Sequence, residues 1–168
     1  NPTGVFAGSG EMGVTGITYS PLDPALFVSL VYDVAGDKFA RVIKAHLGPD
    51  RKSVAAVDTV FQGVRVNYSH QVHAVTIGPD SMLYVNIGDG LQSQTAQNLN
   101  DLRGKILRMT RDGQIPADNP IPGSYIYAYG FRNPFGAAFR PGTSDLYISD
   151  NGPNVDDRIV KVAPGSNY

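Results

Sequence analysis

The stretch Val75-Thr76-Ile77-Gly78-Pro79 leads into Leu83-Tyr84-Val85, so an apolar strand, a proline turn and a second strand follow one another. The same unit occurs twice more, as Ile17-Thr18-Tyr19-Ser20-Pro21 before Leu26-Phe27-Val28 and as Ala137-Ala138-Phe139-Arg140-Pro141 before Leu146-Tyr147-Ile148. The three turn prolines are 58 and 62 residues apart. This spacing fits a four-stranded propeller blade of roughly 40 to 50 residues that carries long loops.

The segments around these units are short and rich in β-branched and aromatic residues, which is typical of strands. The 19 glycines and 12 prolines of the 168-residue chain leave little room for helices. We predict an all-β protein with strands at 14–19, 26–32, 40–46, 57–61, 74–77, 82–87, 105–110, 125–129, 136–139, 145–149 and 158–162, and a helical turn within 93–102. A β-sandwich with long loops is the alternative, but it does not explain the repeated proline turn.

The predicted domain is one partial β-propeller over residues 1–168, with about three four-stranded blades. Propellers close as rings of about four to eight blades, and an open arc leaves blade faces and strand edges exposed. We therefore expect either a piece of a longer protein, lacking the C-terminal half that closes the ring, or a homo-oligomer that closes it.

Charge and composition limit the classes of molecule that the protein is expected to bind. The chain has 14 Lys plus Arg against 15 Asp plus Glu, without basic clusters, and it has no apolar run near the roughly 20 residues that span a bilayer. We expect a small-molecule ligand, no nucleic acid and no membrane span. The absence of cysteine excludes disulfides and thiolate chemistry but leaves the compartment open.

His70 precedes the first strand of the second unit, and Asp89 follows that unit's second strand. Both loops lie at the strand ends opposite the proline turn, so they reach the same face of a propeller. A carboxylate beside an imidazole would orient it and make it a general base. The alternative is a loop histidine bonded to backbone. We interpret His46 as structural and expect His73 to face a neighbouring unit.

Arg132 enters the third unit where His70 enters the second, so it should reach the same face. There it would bind an anionic ligand or a developing oxyanion, or alternatively hold loop carbonyls in place. The segment 150–157, Asp-Asn-Gly-Pro-Asn-Val-Asp-Asp, follows the second strand of this unit. Its oxygens suit calcium, although ordinary Asx-turns use the same residues.

Several motifs in order resemble the glucose/sorbosone dehydrogenase family, which includes soluble quinoprotein glucose dehydrogenases and aldose sugar dehydrogenases. The resemblance covers nearly the whole chain and is carried by Glu11-Met12-Gly13, His70-Gln71, Gly88-Asp89, Arg103-Gly104-Lys105-Ile106-Leu107-Arg108 with Asp118-Asn119-Pro120, Tyr129-Gly130-Phe131-Arg132-Asn133-Pro134, Gly152-Pro153 with Asp156-Asp157, and Gly165-Ser166-Asn167-Tyr168.

The resemblance implies a six-bladed propeller that oxidises the C1 hydroxyl of an aldose to a lactone by hydride transfer to pyrroloquinoline quinone. It implies His70 as the base, Asp89 as its orienting carboxylate and Arg132 as the group that stabilises charge on the quinone. Further cofactor contacts would come from Gln71, Asn133 and Asn151. The carbonyls of Gly152 and Pro153 would bind calcium as a Lewis acid.

The family pattern is not matched everywhere. Val72 and His73 stand where small residues are usual, and Arg158 stands where an acidic residue is common. A sugar substrate, an electron acceptor and a periplasmic or extracellular location are further implications of the resemblance. Two other functions remain open, a non-catalytic propeller that serves as a binding module and a calcium-dependent lactonase or hydrolase.

Overall fold

Three antiparallel sheets make up the computed structural model, which describes residues 10–168. The first sheet contains β1 (Val14–Ser20), β2 (Ala25–Val34), β3 (Asp37–Leu47) and β4 (Val54–Val66). The second contains β5 (Val72–Ile77), β6 (Leu83–Ile87), β7 (Lys105–Met109) and β8 (Ile126–Tyr129), and the third contains β9 (Pro134–Phe139), β10 (Leu146–Asp150) and β11 (Arg158–Val162). Within the described residues, a 3₁₀ turn at Ser93–Gln97 is the helical element. The all-β propeller prediction is confirmed, with each strand of a sheet pairing with the next strand along the chain.

The sheets stack as consecutive blades, because the innermost strand β5 contacts both β1 and β9. One apolar cluster, which includes Phe27, Val31 and Leu107, fills the space between the first and second sheets. A second cluster, with Phe131 and Ile148 among its members, lies between the second and third sheets. The middle sheet therefore has neighbours on both faces, and every residue of β6 and β7 is buried.

The inner strands approach closely where Gly16 lies. A Cβ at this position would lie 2.5 Å from the carbonyl oxygen of His73 and 2.7 Å from Oγ of Ser29. The missing side chain thus lets β1 pack directly against β5, which closes the interface at the centre of the arc.

All eleven predicted strands are present, with two informative differences in length and number. Strand β4 continues past the predicted end at residue 61, because Gly63 adopts a positive φ of 96° at a shift in the pairing register. The third sheet has three strands in the described chain instead of four. After β11 the chain returns to the second sheet, where Asn167 forms a parallel bridge with Tyr129.

The outer faces of the arc carry exposed apolar side chains. On β1, Val14 and Ile17 are each 62% exposed, and at the other end Ile159 on β11 is 81% exposed. Blades of a closed ring would cover such surfaces. Among the described residues, no helix has the length and apolar character needed to cross a membrane.

Candidate functional site

His70 and Asp89 form a buried pair at the loop end of the second blade. Nδ1 of His70 lies 2.7 Å from Oδ1 of Asp89, and the two side chains are 8% and 4% exposed. The same carboxylate oxygen accepts a hydrogen bond from the backbone N–H of Leu91 at 2.8 Å. Because a carboxylate only accepts, the pair places the proton on Nδ1 and leaves Nε2 with a free lone pair.

The local backbone explains why these two loops meet. His70 has a φ of 54°, and its carbonyl accepts a hydrogen bond from the N–H of Gly90 at 2.9 Å. A Cβ on Gly88 would lie 2.6 Å from the carbonyl carbon of His70, so only glycine permits this approach. The N–H of His70 is held by Oε2 of Glu11, from the segment before β1, at 2.8 Å.

Arg132 lies in the adjoining loop, as its backbone carbonyl accepts a hydrogen bond from the N–H of Asp89 at 2.8 Å. Its guanidinium points along the third blade, where Nη1 lies 3.0 Å from the carbonyl oxygen of Asn151 and 2.9 Å from that of Gly152. In this structure, then, Arg132 holds loop carbonyls, the alternative that the sequence left open. Nε and Nη2 donate to no acceptor among the described residues.

Two carbonyl oxygens thus converge on one cationic nitrogen, in the segment for which the sequence suggested calcium. A cavity of about 200 Å³ adjoins this contact and is lined in part by Gly152, Pro153 and Asp156. At the Gly152 carbonyl the guanidinium supplies the positive charge, and a backbone carbonyl oxygen is one of the ligand types that calcium uses, but two such oxygens are fewer than the roughly six to eight it takes. No cluster of three or more metal-binding His, Asp or Glu side chains occurs in residues 10–168.

The other expected cofactor contacts differ in exposure. Gln71 is fully buried, and its amide nitrogen and oxygen lack a hydrogen-bond partner among the described residues. Asn133 is also fully buried. Asn151 is exposed and donates through Nδ2 to Oδ1 of Asp157 at 2.9 Å. Pro153 is exposed, and Gly152 is partly buried. Thus neither Gln71 nor Asn133 presents its side chain at the surface of the described chain.

A network that sequence reasoning missed joins the three blades beneath the pair. Nε2 of His73 lies 2.7 Å from Oδ1 of Asn133, whose Nδ2 is 3.2 Å from Oε1 of Glu11. Nε2 of His73 and Oε2 of Glu11 are 3.8 Å apart. As expected, His73 faces a neighbouring blade, where its ring also packs on that of Phe135. The sequence signal that could have revealed this network was His73, since it stands where small residues are usual in the family that the sequence resembles.

The environment shifts the pKa of two members of this network. Burial lowers the pKa of His73, although the hydrogen bond to Asn133 and the nearby Glu11 oppose this shift. Burial would raise the pKa of Glu11, but hydrogen bonds from the His70 backbone and the Ser69 and Asn133 side chains, with the charge of His73, lower it overall. A neutral imidazole beside an ionised carboxylate is the favoured state at neutral pH.

The fold and the site together define the class of protein. Stacked antiparallel blades, with polar loops from successive blades converging at one end, are the arrangement of β-propeller proteins. The chain belongs to the glucose/sorbosone dehydrogenase family, because the model of that family matches residues 3–168.

Individual relatives agree with this assignment. The chain is 38% identical over 131 residues to quinoprotein glucose dehydrogenase B of Acinetobacter calcoaceticus. This match covers 65% of the chain and 27% of that protein. It is 38% identical over 91 residues to aldose sugar dehydrogenase YliI of Escherichia coli, covering 51% of the chain and 24% of that protein. Hedgehog-interacting protein of Mus musculus is 24% identical over 159 residues, or 79% of the chain and 23% of that protein.

Among solved structures, the PQQ-bound aldose sugar dehydrogenase of Streptomyces coelicolor superposes with a TM-score of 0.86 at 34% identity. The match covers 99% of the chain and 50% of that structure. The chain therefore spans about half the length of this relative.

Proposed function

We propose that this chain forms half of a sugar dehydrogenase that oxidises the C1 hydroxyl of an aldose to a lactone. The observation that carries the proposal is the buried pair of His70 and Asp89, which leaves Nε2 of the imidazole free to take the hydroxyl proton. Two relatives support the substrate class, since one is named a glucose dehydrogenase and the other an aldose sugar dehydrogenase.

When bound, pyrroloquinoline quinone would supply a hydride acceptor, which protein side chains cannot provide. Arg132 fits this group, because two of its guanidinium nitrogens have no acceptor among the described residues. The amide of Gln71 has unused donors and an unused acceptor for such a group, but its side chain is fully buried and would have to turn outward to reach it. Asn133 would act through the residues it holds, because Glu11 and His73 already engage its amide.

Within the chain, each residue has a separate task. Nε2 of His70 accepts the proton from the C1 hydroxyl, and the imidazolium that results is stabilised by Asp89. Arg132 stabilises negative charge that develops opposite the sugar. By the family resemblance the carbonyls of Gly152 and Pro153 would hold a calcium ion, which would act as a Lewis acid, and the ion would then compete with Arg132 for the Gly152 carbonyl.

Space for the sugar is available on the same side. A cleft of about 490 Å³ lies between the first and second blades and is lined in part by Asn67, Tyr68 and Gly90. The N–H of Gly90 donates to the backbone carbonyl of His70, so the cleft lies beside the loop that carries the base, although the His70 side chain is not part of its lining. Both walls belong to this chain, which means that further blades are not needed to form it.

Two alternatives are less well supported by the geometry. A calcium-dependent lactonase would need carboxylates that converge on one cation, but Asp150 is paired with Arg158 at 2.8 Å and Asp157 bonds Asn151 and the N–H of Gly152. A non-catalytic propeller is favoured by the match to Hedgehog-interacting protein, but it gives no role to the buried His70 and Asp89 pair.

The test is sugar oxidation by the full-length protein with added quinone and calcium, followed by the absorbance of the quinone. We expect His70→Ala to lower the rate by roughly two to four decades, the usual contribution of a positioned general base. His46→Ala is the matched control, because His46 pairs with Asp58 on the first blade. Turnover by His70→Ala at the wild-type rate would exclude His70 as the base.

A further inference from the structure

Lys105 is a buried cation in β7 that the proposed reaction does not use. Its side chain is fully buried, and Nζ lies 2.7 Å from the carbonyl oxygen of Thr95, 3.0 Å from that of Ala96 and 2.7 Å from that of Arg103. An ammonium group has three donors, and all three are used here. Burial of a charged group costs free energy, so a buried lysine beneath a loop of the candidate site indicates that its hydrogen bonds stabilise that loop.

The three carbonyls belong to the loop between β6 and β7, which also carries Asp89. The hydroxyl of Thr95 donates to the backbone carbonyl of Asp89 at 3.0 Å. At the other end of the loop, the N–H of Gly104 donates to the carbonyl of Gly88 at 2.9 Å. Lys105 thus ties together the segment that positions Asp89 against His70.

The same loop holds the segment that carries Arg132. The N–H of Gly130 donates to the carbonyl of Ala96 at 3.1 Å, and the N–H of Phe131 donates to that of Gly104 at 3.2 Å. The N–H of Asp89 in turn donates to the carbonyl of Arg132. One ammonium group therefore supports the loop that carries Asp89 and, through that loop, the segment that carries Arg132.

We propose that Lys105 is a positioning residue whose protonated side chain holds the loop between β6 and β7 in the shape that places Asp89 and Arg132 beside His70. The inference rests on the proposed function for its kinetic consequence. Its structural consequence, the alignment of Asp89 with His70, holds whether or not the chain oxidises a sugar.

The position of Lys105 also makes this arrangement depend on pH. Burial lowers the pKa of Lys105 to about 8, with the nearby Asp101 opposing and Arg103 adding to the shift. At pH 7 the group is protonated and satisfies three carbonyls. Above about pH 8 the neutral amine has only two donors, so one carbonyl of the loop loses its partner.

The experiment compares the full-length wild-type protein with Lys105→Met, which keeps the length of the side chain and removes its donors. We expect kcat to fall about ten- to a hundredfold with a smaller change in KM, the usual effect of a displaced catalytic group. In the wild type kcat should decline above about pH 8, and this limb should be absent in Lys105→Met. Lys161→Met is the control, because Lys161 is exposed and pairs with Asp145 on the third blade.

A second measurement needs neither a variant nor turnover. In the wild type, the proton on Nδ1 of His70 should give a hydrogen-bonded resonance in the NMR spectrum that weakens as the pH rises through about 8. If the full-length wild-type protein shows this signal at pH 7 but does not oxidise sugars, the result would count against the proposed function and not against the positioning role of Lys105. A signal that is constant to pH 10, or a Lys105→Met variant with wild-type kcat and an unchanged alkaline limb, would overturn the positioning role.

Discussion

Replacement of Asp89 by asparagine separates the charge of this residue from its geometry. One oxygen, Oδ1, accepts both the Nδ1–H of His70 at 2.7 Å and the N–H of Leu91 at 2.8 Å. The single carbonyl oxygen of asparagine can keep both hydrogen bonds. Its NH₂ group would take the place of Oδ2, for which no hydrogen bond is found in the described residues.

The expected magnitude follows from the loss of the charge. A hydrogen bond to a charged group contributes about 1.5–3 kcal/mol and a neutral one about 0.5–1.5 kcal/mol, a difference of about 1–1.5 kcal/mol. Solvent screens this pair little, because its side chains are 8% and 4% exposed. Since about 1.4 kcal/mol corresponds to tenfold in rate, and the charge matters most when the imidazolium forms, Asp89→Asn should lower kcat about tenfold.

The assay is sugar oxidation by the full-length protein with quinone and calcium added. Asp89→Ala should be slower than Asp89→Asn, because alanine also removes the acceptor that orients His70 and holds the N–H of Leu91. Wild-type kcat in Asp89→Asn would refute a role for the carboxylate charge. Equal losses in the two variants would refute the reasoning that asparagine keeps the geometry.

Three further outcomes are expected. In calorimetry without quinone, Arg132→Gln should bind calcium roughly tenfold more tightly, because it frees the carbonyl of Gly152 from a competing cation. Arg158→Gln is the control, since it leaves that carbonyl engaged and should change the affinity less. Equal tightening in the two variants would contradict direct competition. Because the pKa values of His73 and Glu11 are lowered in the folded protein, the unfolded chain takes up protons first as the pH falls. The free energy of unfolding in urea should therefore fall as the pH drops below about 6.5 and again near 4.5. Greater stability in acid would argue against both shifts. The isolated 168-residue chain should associate in a concentration-dependent way in light scattering, because both outer blade faces expose apolar side chains, and a sharp monomeric peak would contradict this.

The strands could be predicted because their signals are local. The alternation of β-branched residues and the turns at Pro21, Pro79 and Pro141 specify strands and their repeat over a few neighbouring residues. The predicted ends were less accurate. Strand β4 runs past residue 61 because Gly63 accommodates a register shift that depends on its partner β3.

The approach of His70 to Asp89 also followed from the sequence, because the repeat places their loops at the same end of one blade. The side chain of Arg132 was different, since an arginine on that loop could equally face a ligand or the carbonyls of Asn151 and Gly152. Only the packed third blade determines that its guanidinium lies on the carbonyls.

The sequence by itself therefore determined an all-β repeat, the end of the blades that carries the polar loops, and the family. Tertiary structure alone decided that Glu11, His73 and Asn133 contact one another. It also decided which three backbone carbonyls accept hydrogen bonds from Lys105. The physical reason is separation along the chain. Glu11 and Asn133 are 122 positions apart, and their contact forms only when the sheets stack and bring side chains without a common local pattern to one place.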